Sequence, residues 1–271
     1  MWKKQELIQD KYEILEYLTS GGTSLLYHVK TPGGKQALLK VVKSPDTLFN
    51  QQIDNEAATL AAIDHPSIPK LFDKFIVHNH YKAIVIEKFA AKSLSDLMEE
   101  EGRTFTWQEI SEIARQLAGI IRVFHDHDPA LVIRDMKPSN ILLGEDNTVY
   151  VVDFGITAPV DAVGQVRALG TIGYAAPEQF EDGVVDLRSD LFSLGAVLFY
   201  LTSNGENIYT SDHETILRER LPKHFAQMIM KLTNTNPDKR YPNIAKVMQA
   251  TAKVNRSYTE RMKAFIHAYQ G

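Results

Sequence analysis

The chain has no cysteine, so neither a disulfide framework nor a thiolate metal site can belong to its construction. That suits a reducing compartment, and a cytoplasmic protein, or the cytoplasmic part of a longer one, is the expectation. A large excess of one charge is also missing. Thirty Lys and Arg against 34 Asp and Glu leave a formal net charge of -4, which gives no bulk affinity for nucleic acid. The longest apolar run, Leu194 to Leu201, is far short of the roughly 20 residues that cross a bilayer as a helix. The opening MWKKQELIQDKYEIL carries charge where a signal peptide needs an apolar stretch. Neither a nucleic-acid partner nor a membrane segment is therefore expected. What is present is 44% hydrophobic and 24% charged, with 15 Gly and 11 Pro in 271 residues. This is the profile of a globular chain with one large domain or two lobes.

Short β-type runs dominate the first ninety or so residues: YEILEYL, SLLYHV, ALLKVV and YKAIVIE. Between the third and fourth, NQQIDNEAATLAAI spaces Ile53, Leu60 and Ile63 among good helix formers and predicts one helix. Beyond about Ala91 the balance turns helical. Thr106 and Glu109 form a Thr-x-x-Glu capping box that opens an amphipathic helix to about His125. Further helices are expected at Asp190–Thr202, Lys223–Leu232 and Ile244–Val254. The compositional seam lies near Phe89–Lys92, and no repeat or flexible linker interrupts the chain.

The polar residues inside apolar stretches hold the chemistry. VIRDMKPSNILL places Asp135, Lys137 and Asn140 together, and Asp153-Phe154-Gly155 follows the alternating NTVYVV. Downstream come Gly170-Thr171, Ala176-Pro177-Glu178, Ser189-Asp190 opening a helix, and Arg240. Upstream, Lys40 ends a strand and Glu56 sits in the early helix. Each has a plainer reading when taken alone. Lys40 and Glu56 read as solvated charges, Asp190 as a residue favoured by the helix dipole, Asp153-Phe154-Gly155 as a turn, and Asn140 as a loop amide.

In this order and spacing, the sequence resembles the eukaryotic-type Ser/Thr protein kinases, including those of bacteria, from about Tyr12 to Val254. The resemblance implies an α+β, two-lobed protein-kinase-like fold. A small β-rich N-lobe with one helix would cover about 1–89 and a larger, mainly helical C-lobe about 90–254, with a helical extension at about 256–271. It implies transfer of the γ-phosphoryl group of ATP to a protein hydroxyl, with Mg2+ (or Mn2+) as the metal. Asp153 and Asn140 would supply the hard oxygen ligands that magnesium prefers. Lys40 would contact the α- and β-phosphates, held by an ion pair with Glu56. Asp135 would accept or orient the proton of the attacking hydroxyl, Lys137 would offset charge on the transferred group, and Thr171 would contact both. Leu18, Gly21, Leu26 and Leu38 would enclose the nucleotide from above and Leu142 from below. Ile86 would be the gatekeeper, and Glu87 and Phe89 would offer backbone hydrogen bonds to adenine.

The pattern departs from the family at several points. In LTSGGTSLLYHV, Thr19 and Ser24 replace two loop glycines and only Gly21 keeps its place, so the loop loses conformational freedom. Leu26 stands for a common valine, and Leu38 for an alanine, making the roof bulkier. Ile133 stands where active relatives carry a histidine; it keeps apolar packing but cannot make that histidine's hydrogen bond. Arg134 beside Asp135 usually goes with an activation loop organised by phosphorylation. Yet from Ile156 to Ala176 the only hydroxyls are Thr157, Thr171 and Tyr174. Activation without loop phosphate is the expectation, with Asp161 or another carboxylate serving Arg134. Glu178 and Arg240 match a buried ion pair.

SNGENIYTSDHETILRERL, between two expected helices, looks short for a substrate-docking region. The tail RSYTERMKAFIHAYQG sets Tyr258, Met262, Phe265, Ile266 and Tyr269 on one helical face. That face either packs on the C-lobe or meets a partner or second copy. Two further functional readings stand beside the enzyme: a pseudokinase or scaffold that binds nucleotide weakly, and a small-molecule kinase. The bulky roof favours the scaffold, and the complete polar set opposes it. Thr171, Ala176-Pro177-Glu178 and Ser189-Asp190 weigh against the small-molecule kinase.

Overall fold

A computed structural model describes residues 2–78, 80–160, 162, 169–209 and 212–254. The expected C-terminal extension and Asp161 lie outside the described residues. The chain divides into two compact units, Met1–Ala91 with Tyr150–Thr157, and Lys92–Val149 with Ala158–Gly271. The first is β-rich with one helix and the second mainly helical, the α+β architecture expected from the sequence.

The first unit is built on one six-stranded sheet in the order β1-β2-β3-β4-β6-β5. Its strands are β1 (Leu7–Ile8), β2 (Tyr12–Ser20), β3 (Ser24–Lys30), β4 (Gln36–Val42), β5 (Leu71–Val77) and β6 (Tyr81–Glu87). The two-residue period of a strand separates its faces. Tyr27, Val29, Ala37, Leu39, Val41, Ala83 and Val85 form one buried cluster. Leu26, Leu38, Lys40 and Ile86 alternate with them and take the other face. Register places Leu26 opposite Lys40 and Leu38 opposite Ile86. The sheet is curled enough for Lys11 and Tyr12, at the start of β2, to donate to Asp73 of the edge strand β5 at 2.6 and 2.8 Å. The LFDKFIV run of β5 alternates half-buried and exposed residues and carries two charges, which hid it from the hydrophobic pattern.

Helix α1 (Thr47–Ala62) starts on Asp46, whose side chain accepts from the Leu48 N–H, as an N-cap does. Its buried residues Ile53, Glu56, Ala57, Thr59 and Leu60 follow helical spacing and form one stripe. A carboxylate in such a stripe must find a partner.

In the second unit, α2 (Trp107–His125) opens on the Thr106–Glu109 capping box, with both reciprocal bonds formed. Helix α4 (Leu187–Ser203) begins earlier than expected, because the Asp186 side chain caps it by accepting from the Arg188 N–H. Nearly every residue of α4 is buried, so it is a central helix rather than an amphipathic surface one. Its Gly195 admits the neighbouring helix closely. A Cβ there would lie 2.7 Å from Leu232 Cβ at the end of α6 (Lys223–Leu232). Two helices escaped the sequence pattern, α3 (Pro177–Asp182) and the polar α5 (His213–Arg220) inside the region between expected helices. A further helix covers residues 244–254. The remaining strands are short: β7 (Ala91–Ser93), β8 (Leu131–Val132), β9 (Ile141–Gly144), β10 (Val149–Val151) and β11 (Ala158–Pro159). β8 and β11 pair antiparallel, Val132 opposite Ala158. No helix among the described residues is long and apolar enough to cross a membrane.

Candidate active site

In the first unit, β4 delivers Lys40 and α1 delivers Glu56. The segment after β10 delivers Asp153, 113 positions from Lys40 in sequence. Lys40 Nζ donates to Glu56 Oε2 at 2.6 Å and to Asp153 Oδ1 at 3.0 Å. Burial alone would lower the lysine's pKa, but the charges of Asp153 and Glu56 more than offset it and hold the ammonium above its ordinary value. Burial pushes the Glu56 carboxyl up, with Lys40 pulling against it. Glu56 is sealed at 2% side-chain exposure while Asp153 is 43% exposed. The cluster therefore offers solvent one carboxylate beside a fixed cation. Asp153 sits at φ 68°, the left-handed region that costs a non-glycine residue about 1–3 kcal/mol and concentrates at functional sites.

The other sequence candidates of this unit fall around the same sheet. Leu26 and Leu38 are half-buried on the Lys40 face, and Ile86 is buried on it. Leu18 is exposed near the end of β2. Gly21 closes the β2–β3 turn by donating its N–H to Ser24 O at 2.9 Å. The Glu87 N–H donates to Lys70 O, and the Phe89 ring stacks on Tyr150 with centroids 4.0 Å apart.

In the second unit, Asp135, Lys137, Asn140 and Thr171 converge. Asp135 Oδ1 accepts from Thr171 Oγ1 at 2.9 Å. Its Oδ2 lies 2.9 Å from Lys137 Nζ and accepts from Asn140 Nδ2 at 3.1 Å. Lys137 Nζ also donates to Thr171 Oγ1 at 3.1 Å. Asn140 turns its amide nitrogen on Asp135, also reaching the Asp135 carbonyl at 3.0 Å, so its amide oxygen is the end left to meet a cation. Leu142 is half-buried on β9. The turn that follows Thr171 is closed by the Tyr174 and Ala175 N–H groups, which donate to Thr171 O at 3.0 and 2.9 Å, and passes through Gly173 at φ 95°, a backbone conformation that favours glycine.

Three residues complete the support beneath Asp135, and single-residue reading of the sequence missed what they do. Asp190, fully buried on α4, accepts from the Ile133 and Arg134 backbone N–H groups at 2.9 and 3.0 Å and from His125 Nε2 at 3.0 Å. It anchors the backbone on which Asp135 stands, a role beyond that of a dipole-favoured helix residue. Gln179 Nε2 donates to Arg134 O and to Leu169 O, both at 2.8 Å. Arg134 is only 2% exposed, at φ 71°. Burial holds its pKa down, and Asp190 is the carboxylate that pulls it back up. The signal for Asp190 lay in Ser189-Asp190 at its spacing; nothing local marked His125 or Gln179.

Glu178 and Arg240 form a bidentate pair. Arg240 Nη1 and Nη2 donate to the two Glu178 oxygens at 2.6 and 2.8 Å. Burial alone would raise the Glu178 carboxyl, but the guanidinium holds it below the ordinary carboxylate range.

Comparison with known proteins gives a consistent result. The protein kinase domain family model matches residues 12–268. A probable serine/threonine-protein kinase of Clostridium acetobutylicum is 26% identical over 96% of this chain and 42% of its own length. The serine/threonine-protein kinase PknB of Mycobacterium tuberculosis is 28% identical over 92% of this chain and 43% of its own. PknL of the same organism is 29% identical, at 87% and 63%. The chain thus spans less than two thirds of the length of these relatives.

Proposed function

The chain belongs to the protein kinase domain family, and from that membership we propose that it is an ATP- and Mg2+-dependent Ser/Thr protein kinase acting on a protein hydroxyl in the cytoplasm. The observation that carries the reading is Lys40 held between Glu56 and Asp153. A buried lysine whose ammonium form two carboxylates favour, beside a half-exposed carboxylate, suits polyphosphate and a hard cation together. The donor set fits magnesium, because the oxygens of Asp153 and Asn140 are hard ligands and no sulfur competes. Magnesium, when bound, neutralises the charge of the phosphates and orients them.

The work divides between the two units. In the first, Lys40 binds the nucleotide's phosphates, Glu56 fixes Lys40, and Asp153 holds the metal. Leu18, Gly21, Leu26, Leu38, Ile86, Glu87 and Phe89 are this unit's nucleotide-binding candidates; in the second unit, Leu142 is a nucleotide-binding candidate and Asn140 a metal-ligand candidate. Asp135 takes the proton of the acceptor hydroxyl as that oxygen bonds the γ-phosphorus and the bond to the ADP oxygen breaks. Lys137 offsets charge on the moving group, and Thr171 keeps both side chains aimed. Ile133 loosens nothing charged. It is buried, and its backbone N–H is already held by Asp190. Since a lost neutral hydrogen bond costs about 0.5–1.5 kcal/mol, Ile133→His is expected to leave turnover unchanged or raise it by up to about tenfold. A loss larger than tenfold in steady-state assays would instead make the isoleucine a required adaptation.

The reading as an enzyme is tested by incubation with labelled ATP, magnesium and a generic basic protein, beside Asp153→Ala. Label transfer is expected from the wild type and none from the variant. A thermal shift with ATP but no transfer would replace this reading with the pseudokinase or scaffold.

A further inference from the structure

Glu56 has a neighbour that the kinase motifs do not include. Asn55 Nδ2 lies 2.7 Å from Thr157 O, 3.1 Å from Gly155 O and 3.4 Å from Phe154 O. Three carbonyls converging on one side-chain end define that end as the donor; the flipped amide would set oxygen against three oxygens. The next residue along the helix reads the other edge of the same backbone, since Glu56 accepts from the Phe154 N–H. Gln52, one turn earlier, packs where a Cβ on Gly155 would be only 3.4 Å away. Positions 52, 55 and 56 share one helix face, and that face is applied to residues 154–157.

We propose that Asn55 is a positioning residue that pins the backbone following Asp153 to α1, so that Lys40, Glu56 and Asp153 stay assembled without a phosphate on the downstream segment. Its kinetic consequence rests on the kinase reading, but its structural content does not.

The downstream segment offers no ready acceptor for such a phosphate. Its hydroxyls are Thr157, Thr171 and Tyr174 alone. Thr157 is buried, and its carbonyl is the one Asn55 holds most closely. Thr171 is committed to Asp135 and Lys137. Tyr174 is half-buried, packs edge-on against Tyr200 and has its phenol pushed up to about 12 by burial and by the charge of Glu99. Arg134, the cation expected to receive a phosphate, is buried, and Asp190 is a carboxylate whose charge acts on it. The order that a charged group would otherwise impose on the segment from outside is supplied here by a neutral amide at its root. A helix tied to the Asp153 loop at both its N–H and its C=O groups cannot swing away without breaking both sets of bonds.

The test compares Asn55→Ala, Asn55→Asp and Asn55→Gln in the full chain by kcat on a generic protein substrate, Tm, and amide hydrogen exchange. A residue that merely filled space would tolerate the isosteric aspartate better than alanine. A donor residue predicts the reverse order: Gln within about threefold of wild type, Ala down about tenfold to a hundredfold, Asp lowest. In Asn55→Ala, exchange at the Phe154 and Thr157 amides is expected to speed up at least tenfold while β3 and β4 stay protected. Unchanged exchange at those amides, or an aspartate variant at least as active as the alanine one, overturns the proposal. If the wild type transfers no phosphoryl group, the kinase reading fails and the exchange result alone decides on Asn55.

Discussion

Asp135→Asn is expected to lower kcat by about 10²–10⁴-fold, the range that general-base assistance typically contributes, while the protein stays folded and still responds thermally to ATP. Three donors meet on the two carboxylate oxygens: Thr171 on one, Lys137 and Asn140 on the other. An asparagine side chain has a single acceptor oxygen. With its nitrogen turned to Thr171, whose hydroxyl can accept, the amide keeps its oxygen for Lys137 and Asn140. The substitution therefore removes the proposed proton acceptor while largely keeping its neighbours' bonds, so the rate should fall by what the lost base contributes. Stability should change little. The carboxylate is partly exposed, and its backbone is held from below by Asp190 and Gln179 through the neighbouring peptide groups. Steady-state kinetics beside a thermal melt separate the two effects. Near-normal turnover would take Asp135 out of the mechanism; loss of folding would show that the carboxylate holds up the loop instead of serving the reaction.

How much of this could be read from the sequence depended on how local each signal was. The Thr106–Glu109 box is a rule about residues three apart, and α2 starts where it says. Strands β2, β3, β4 and β6 showed themselves by β-branched and aromatic runs, whereas β5 did not, because an edge strand with one wet face tolerates Asp73 and Lys74. Helix α5 has almost no apolar face to show, since Leu217 is its only buried residue. Among the site residues, Lys40, Glu56, Asp135 and Asp153 were found as a spaced set matching a known family, not from any property of their own. Asn55 and Gln179 were invisible for the complementary reason. Each uses one amide to bind backbone carbonyls 10 to 102 positions away, and a carbonyl leaves no mark in the sequence.

Arg240→Ala is expected to cost about 3–5 kcal/mol, the penalty for stranding one member of a buried ion pair. In a chain of this size that corresponds to a fall in Tm on the order of 10 °C. The guanidinium does more than neutralise Glu178. It also donates to the carbonyls of Asn234, Arg188 and Thr235 at 2.7, 2.9 and 3.2 Å, and it lies over the Phe192 ring at 5.1 Å. The Glu178 carboxylate, besides its two bonds from Arg240, accepts from Ser189 Oγ at 2.8 Å. The two ends of the pair should therefore be unequal, with Arg240→Ala the most damaging, Glu178→Ala intermediate and Glu178→Gln mildest, since the amide still offers Arg240 one acceptor. Thermal melts of the three variants give the order. Equal losses at Arg240→Ala and Glu178→Gln would mean that charge, and not the tethering of the 234–235 and 188 carbonyls, is what the pair supplies. The pH dependence has a definite sign. Because Arg240 depresses the Glu178 pKa in the folded protein, the pair's contribution is complete above the unfolded glutamate value of about 4.3 and fades as pH falls through the lowered folded value. The gap between wild type and Arg240→Ala should accordingly be constant from neutral pH down to about 5 and narrow below about 4, as protonation of Glu178 removes from the wild type what the substitution had already removed from the variant.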